Sequence, residues 1–152
     1  MILAIDPGPT QSAFLAWDGT VCGKGLFSNG ERWSILQAWS ADQSSIIAIE
    51  MVSCYGMPVG REVFETCIEI GRIVEICYPK PVRMVYRRDI KLHLCGSARA
   101  KDSNIRQALI DRVGPQGKKH SPGPTYGLAK HDWSALAIAI YVSDHLTTHA
   151  AA

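Results

Sequence analysis

The sequence lacks long hydrophobic runs, paired-cysteine motifs, internal repeats and linker-like stretches, and each absence removes a class of protein. No apolar run approaches the roughly 18–20 residues of a membrane span, so no membrane partner is expected. No basic stretch precedes the apolar residues at the N-terminus, which does not read as a secretory signal and sets the expectation of an intracellular protein. The five cysteines (Cys22, Cys54, Cys67, Cys77, Cys95) are odd in number, with no Cys-x-x-Cys pair and no histidine at zinc-finger spacing. That argues against a disulfide framework or structural zinc site and for small hydrophobes in a reducing compartment. With no linker dividing its 152 residues, of which 47% are hydrophobic and 20% charged, the chain is expected to form a single domain over 1–152 with one sizeable core.

Net charge of one sign is also nearly absent, at +2, but its distribution is uneven. Between Lys80 and His131 stand 12 Lys and Arg against 3 Asp and Glu, a local balance of +9. The remainder holds 4 basic and 11 acidic residues, a balance of −7. Such asymmetry suits a basic face for a polyanion, although a solvated charged surface would read the same way.

What is present is an alternation of short apolar strands and helices. Ile2–Asp6 reads as a buried strand, and Ser12–Trp17 with Val21–Phe27 as a hairpin turning at Asp18-Gly19-Thr20. Arg32–Trp39 reads as a short helix and Ile46–Glu50 as a second buried strand. Apolar residues then recur every three or four positions from Pro58 to Tyr78, predicting a long amphipathic helix stopped by Pro79 and Pro81. Val82–Tyr86 is a third apolar strand. Arg88–Leu94, Asp102–Val113 and His131–Leu146 follow as helices, and the Gly-, Pro- and Lys-rich stretch 114–127 reads as a mobile loop. The pattern predicts an α/β domain with a mixed sheet.

Two of the strands end on a carboxylate: ILAID on Asp6 and IIAIE on Glu50. Adjacent parallel strands would bring these acids together at one sheet edge, where active sites of open α/β sheets lie. Their repulsion is removed by a divalent cation. His131 and Asp132 open the last helix as further ligand candidates. Taken singly, Asp6 could be a turn former before Pro7-Gly8, Asp132 a helix cap and His131 a surface residue; a glutamate ending a strand has no such role.

IDPG closing the first strand, AIE closing a later one and SALAIAI on the last helix resemble the RuvC-type Holliday-junction resolvases, in the ribonuclease H-like nuclease superfamily. The segment KLHLCGSARAKDSNIRQAL resembles that family's Lys-to-Gly-x-Gly/Ser-x-Ala-x-Lys region. The motifs occur in the family's order over nearly the whole chain, and the length and the PGPTYG loop are closer to the phage-borne branch. The resemblance implies a ribonuclease H-like mixed β-sheet flanked by α-helices, a homodimer, and cleavage of four-way DNA junctions with Mg²⁺, or Mn²⁺ as substitute. It also implies a cytoplasmic setting in a bacterial cell or phage-infected host.

On that resemblance Asp6 matches the first-strand aspartate, Glu50 the mid-chain glutamate, and His131 a position held by Asp or His. The family's last acid falls on Ser134, so Asp132 is the candidate replacement. Two ions about 3.5–4 Å apart would activate a water and stabilise the leaving oxygen. Asp6, Glu50, His131 and Asp132 are thus the implied metal ligands, with Lys101, or Lys91, neutralising charge on the scissile phosphate. Arg87, Arg88, Lys91, Arg99, Lys101, Arg106, Lys118 and Lys119 are candidate DNA-backbone contacts. Tyr55 falls where the family inserts an aromatic ring near the branch point, or packs back on its own loop. Three other readings stay open: a junction-binding relative that cuts poorly, a nuclease of flaps and forks, and a distant likeness to the phosphate loop of actin-like ATPases, for which the chain is too short.

Overall fold

In the computed structural model, which describes residues 1–150 and side chains through 146, the elements run in an order close to the one read from the sequence. They are β1 (Ile2–Asp6), β2 (Gln11–Trp17), β3 (Val21–Ser28), α1 (Arg32–Ala41), β4 (Ile46–Met51), α2 (Arg61–Cys77), β5 (Val82–Tyr86), α3 (Arg87–Cys95), α4 (Asp102–Val113), β6 (Gly117–Lys118), β7 (Ser121–Pro122) and α5 (Lys130–Ala150). The five-stranded sheet has the order β3-β2-β1-β4-β5. β1 and β2, and β2 and β3, are antiparallel; β1 and β4, and β4 and β5, are parallel.

The central strands are continuous apolar runs because both sheet faces are covered. Alternate residues supply the two cores. Ile2, Ala4 and Ala48 pack with α3, α4 and α5 through Ile90, Leu109, Leu136 and Ile140. Leu3, Ile5, Ile47 and Ile49 pack with α1 and α2 through Leu36, Ile70, Ile73 and Cys77. On that second face the buried Glu69 carboxylate takes a two-pronged ion pair from Arg32, at 2.6 and 2.7 Å, which joins α2 to α1.

Two sequence expectations change. The long helix starts at Arg61 rather than Pro58, since Gly60 just before it is extended (ψ 175°). The stretch 114–127 is not a featureless loop: β6 and β7 pair in a small hairpin, and the buried Thr125 hydroxyl donates to the Gly114 carbonyl at 2.9 Å. Gly117 turns the chain there at φ 70°, where a Cβ would stand 2.4 Å from the Ser121 carbonyl oxygen.

Candidate active site

The parallel register of β1 and β4 sets Ile5 opposite Ile49, so the next residues, Asp6 and Glu50, emerge side by side at the carboxyl ends of adjacent strands. The Pro-Gly-Pro that follows Asp6 turns the chain back within five residues into β2. A Cβ on Gly8 would lie 2.4 Å from the Gln11 carbonyl oxygen, so only glycine fits this bend. The bend leaves the two carboxylates facing a cleft of about 820 Å³, which Arg87, Asp102, His131 and Ser134 also line.

The cleft carries three acids, Asp6, Glu50 and Asp102, against the cations Arg87, Arg106 and Lys130, and its two strand-end acids are held out of water. Burial pushes the Glu50 carboxyl up to about 7; the Arg87 guanidinium opposes the rise, while Asp6 and Asp102 add to it. Asp6 is raised for the same first reason, burial, against which His131, Arg87 and the Ser134 hydroxyl act. His131 Nδ1 lies 3.0 Å from Asp6 Oδ2. Arg87 stands between two acids, 3.4 Å from Glu50 Oε2 and 2.8 Å from Asp102 Oδ1. The far wall is apolar, built from Leu26, Ile105, Leu128 and Trp133, with the Arg106 guanidinium 4.9 Å from the Trp133 ring centre.

The structure thus brings Asp6, Glu50 and His131 together, but not Asp132. That carboxylate is 4% exposed and does not line the cleft. It accepts the Ala129 N–H at 2.8 Å, the return half of a capping box, and pairs with Lys24 Nζ at 2.6 Å. The expected ligand Asp132 is engaged elsewhere in this structure: Leu15 pairs with Lys24 in the sheet, so the lysine reaches the α5 face and holds the acid. Asp132 instead fixes the start of α5, which carries His131. Asp132→Ala is expected to lower stability by about 2 kcal/mol in urea unfolding without metal, as a paired, mostly buried charge and a cap are lost together. A metal-ligand role would leave metal-free stability unchanged.

The cationic candidates divide. Arg87 turns inward to the acids, and Arg106 lies over Trp133 in the cleft. Lys101 is exposed just ahead of α4, its N–H donating to Asn104 Oδ1 at 2.9 Å, and it does not line the cleft. Arg88, Arg99, Lys118 and Lys119 are exposed. Arg88 and Lys91 join Arg87, Ala98 and Tyr55 around a second hollow of about 320 Å³. Tyr55, in the left-handed region at φ 47°, accepts the Arg88 N–H at 3.3 Å through its hydroxyl. Sequence reasoning missed the carboxylate role of Arg87 and the presence of Asp102. A signal for Arg87 existed, since it directly follows the strand VRMVY, as Asp6 closes its own and Glu50 stands one residue from the end of its own.

Among the described residues no group of three or more His, Cys, Asp and Glu side chains is arranged to hold a metal ion as it stands. Asp6 and His131 are hydrogen-bonded to each other and Glu50 faces Arg87. The donor set nevertheless fits a hard divalent cation that keeps most of its waters: two carboxylates held deprotonated only with difficulty, at an open sheet edge.

No family model matches the sequence, and no curated protein matches it. Solved structures do share the fold. Thermus thermophilus RuvC is 15% identical over 97% of this chain and 96% of that one, with a TM-score of 0.67. T. thermophilus RuvC in complex with Holliday junction substrate is 16% identical over 97% of this chain and 95% of that one, with a TM-score of 0.67. The mixed sheet flanked by helices expected from the sequence is the architecture the chain adopts, and it shares that fold with these structures.

Proposed function

We propose that this chain is a metal-dependent endonuclease that resolves four-way DNA junctions as a homodimer. The observation that carries the reading is the Asp6–Glu50 pair at the carboxyl ends of adjacent parallel strands, in a fold shared with a protein solved on a Holliday junction. A Mg²⁺ or Mn²⁺ ion, or a pair of them, would supply a polarised phosphate and an activated water.

The chain's own residues would do the rest. Asp6 and Glu50 hold the positive charge beside the scissile phosphate. His131 lines the same cleft, its ring oriented by the Nδ1 contact to Asp6. Ser134, where an acid would have been expected, lines the cleft beside Asp6, and its hydroxyl helps hold the Asp6 carboxyl down against burial. Arg88, Lys91, Arg99 and the Lys118-Lys119 hairpin position the backbone without reading bases. Tyr55, exposed beside Arg88, offers a face for an unstacked base near the branch.

The dimer reading rests on α2. Its outer face shows Phe64 and Ile68, 60% and 56% exposed, next to Gly71, where a Cβ would meet nothing within 4 Å. A mid-helix glycine costs about 1 kcal/mol relative to alanine, and its use here fits close approach of a second helix. Ile68→Glu is expected to convert dimer to monomer in light scattering and to unlink the two nicks of a junction.

The direct test is cleavage of a synthetic four-way junction beside matched duplex, fork and flap, with Mg²⁺, Mn²⁺ or chelator. Paired symmetric nicks confined to the junction and abolished by chelator are expected. Tight binding without cutting would favour a junction-binding relative, for which Ser134 and the engaged Asp132 are the structural grounds. Equal cutting of all branched forms would keep the site and remove the junction selectivity.

A further inference from the structure

We propose that Arg87 is a built-in counter-ion of the carboxylate pair, competing with the divalent cation for Glu50 and so setting how much metal the site requires, while Asp102 is the tether that draws it aside. The inference rests on the metal-dependent reading above and concerns a residue that reading leaves without a role.

Three neighbouring strands, β1, β4 and β5, point their carboxyl ends at the cleft. Asp6 closes the first and Glu50 stands one residue from the end of the second. Arg87 directly follows the third, as Met51 pairs with Tyr86. The edge therefore carries two negative charges and one positive charge in order. Arg87 is not a solvated surface cation: its side chain is 22% exposed and points inward to the acids. Its charge acts on Glu50 and, together with that of His131, on Asp6.

The distances divide its allegiance. The bond to Asp102 is the short one, at 2.8 Å, and Asp102 is 78% exposed; the contact to Glu50 is longer, at 3.4 Å. Leaving Glu50 therefore breaks the weaker of two interactions, and Asp102 keeps hold of the guanidinium as it withdraws. A guanidinium and a dication cannot both lie against Glu50 without strong repulsion in a half-buried cleft. The bidentate-capable fork released in this way is also suited to a phosphate oxygen entering the same cleft.

The test is calorimetric titration of Mn²⁺ into the DNA-free protein at several pH values up to about 8.5, since loss of Arg87 raises the Glu50 carboxyl further and a proton must then leave as the metal binds. Arg87→Gln is expected to bind Mn²⁺ about tenfold tighter than wild type, a change of about 1.4 kcal/mol, and Arg87→Lys to stay near wild type. Asp102→Asn is expected to bind several-fold more weakly, since Arg87 then belongs to Glu50 alone. In the double variant the Asp102 change should have no further effect. Asp102 is exposed, so its variant reports even if Arg87→Gln does not fold.

Unchanged or weaker binding by Arg87→Gln overturns the counter-ion role. A loss on Asp102→Asn that persists in the Arg87→Gln background overturns the tether and makes Asp102 a ligand. Wild type that binds no Mn²⁺ removes the proposal with the metal-dependent reading. The expected shifts in a protein that cuts no junction would uphold the role of Arg87 and sink the resolvase reading alone.

Discussion

Asp6→Asn is expected to reduce junction cleavage by ~10³-fold or more, the loss of several kcal/mol of transition-state stabilisation, while junction binding and the fold persist. The substitution keeps the shape of the side chain and removes only its charge. Asp6 is mostly buried at the end of β1 and its carboxyl is raised by that burial above the usual carboxylate range, so the metal-free protein holds the charged form reluctantly. The asparagine variant should therefore melt no lower than wild type in chelator, and higher at alkaline pH, where wild type must keep the charge. A residue whose removal helps the fold and ruins the activity is retained for function. Single-turnover cleavage of a labelled junction, with gel-shift affinity and thermal melting of the same preparations, separates the cases. Cleavage within tenfold of wild type would place the chemistry elsewhere, and a large drop in melting temperature would make Asp6 structural.

The elements that position this site were legible because their signals are local. ILAID and IIAIE are apolar on both pleat faces, which marks central strands, and each carries its acid at or beside the end, where the chain leaves the core. The amphipathic spacing of α2 and the Pro stop after it were equally direct. What could not be read was partner choice between side chains distant in the chain. Asp132 had two readings, ligand or cap, and the side chain that engages it in the fold is Lys24, 108 residues away on β3. Arg87 was counted with the other cations of a basic segment, and only folding shows it turned toward Glu50, 37 residues earlier. The β6–β7 hairpin escaped notice because two-residue strands have no periodicity; its Gly and Pro residues read as loop signals.

Metal-free stability is expected to fall as pH rises from about 4.5 to about 7, because of Glu50. The sign follows from where the proton is held. Below about pH 4.5 the carboxyl is neutral in folded and unfolded chains alike and contributes nothing. Between that value and the folded one of about 7, the unfolded chain releases the proton while the folded chain keeps it, so unfolding gains ground with each step in pH. Above about 7 the loss is complete, roughly 3 kcal/mol at 1.36 kcal/mol per pH unit. Glu50→Gln carries no such charge, so the difference between the two stability curves isolates this residue from every other titrating group. Urea unfolding in chelator at a series of pH values measures it, and curves that stay parallel would remove Glu50 as a destabilised charge. A divalent cation at about a hundred times its dissociation constant should return about 2.7 kcal/mol to wild type above pH 7, and much less to Glu50→Gln. On the proposed reading, the burial that raises this carboxyl also leaves the carboxylate poorly solvated, so the stability lost in chelator and the stability returned by a cation should both trace to this one side chain.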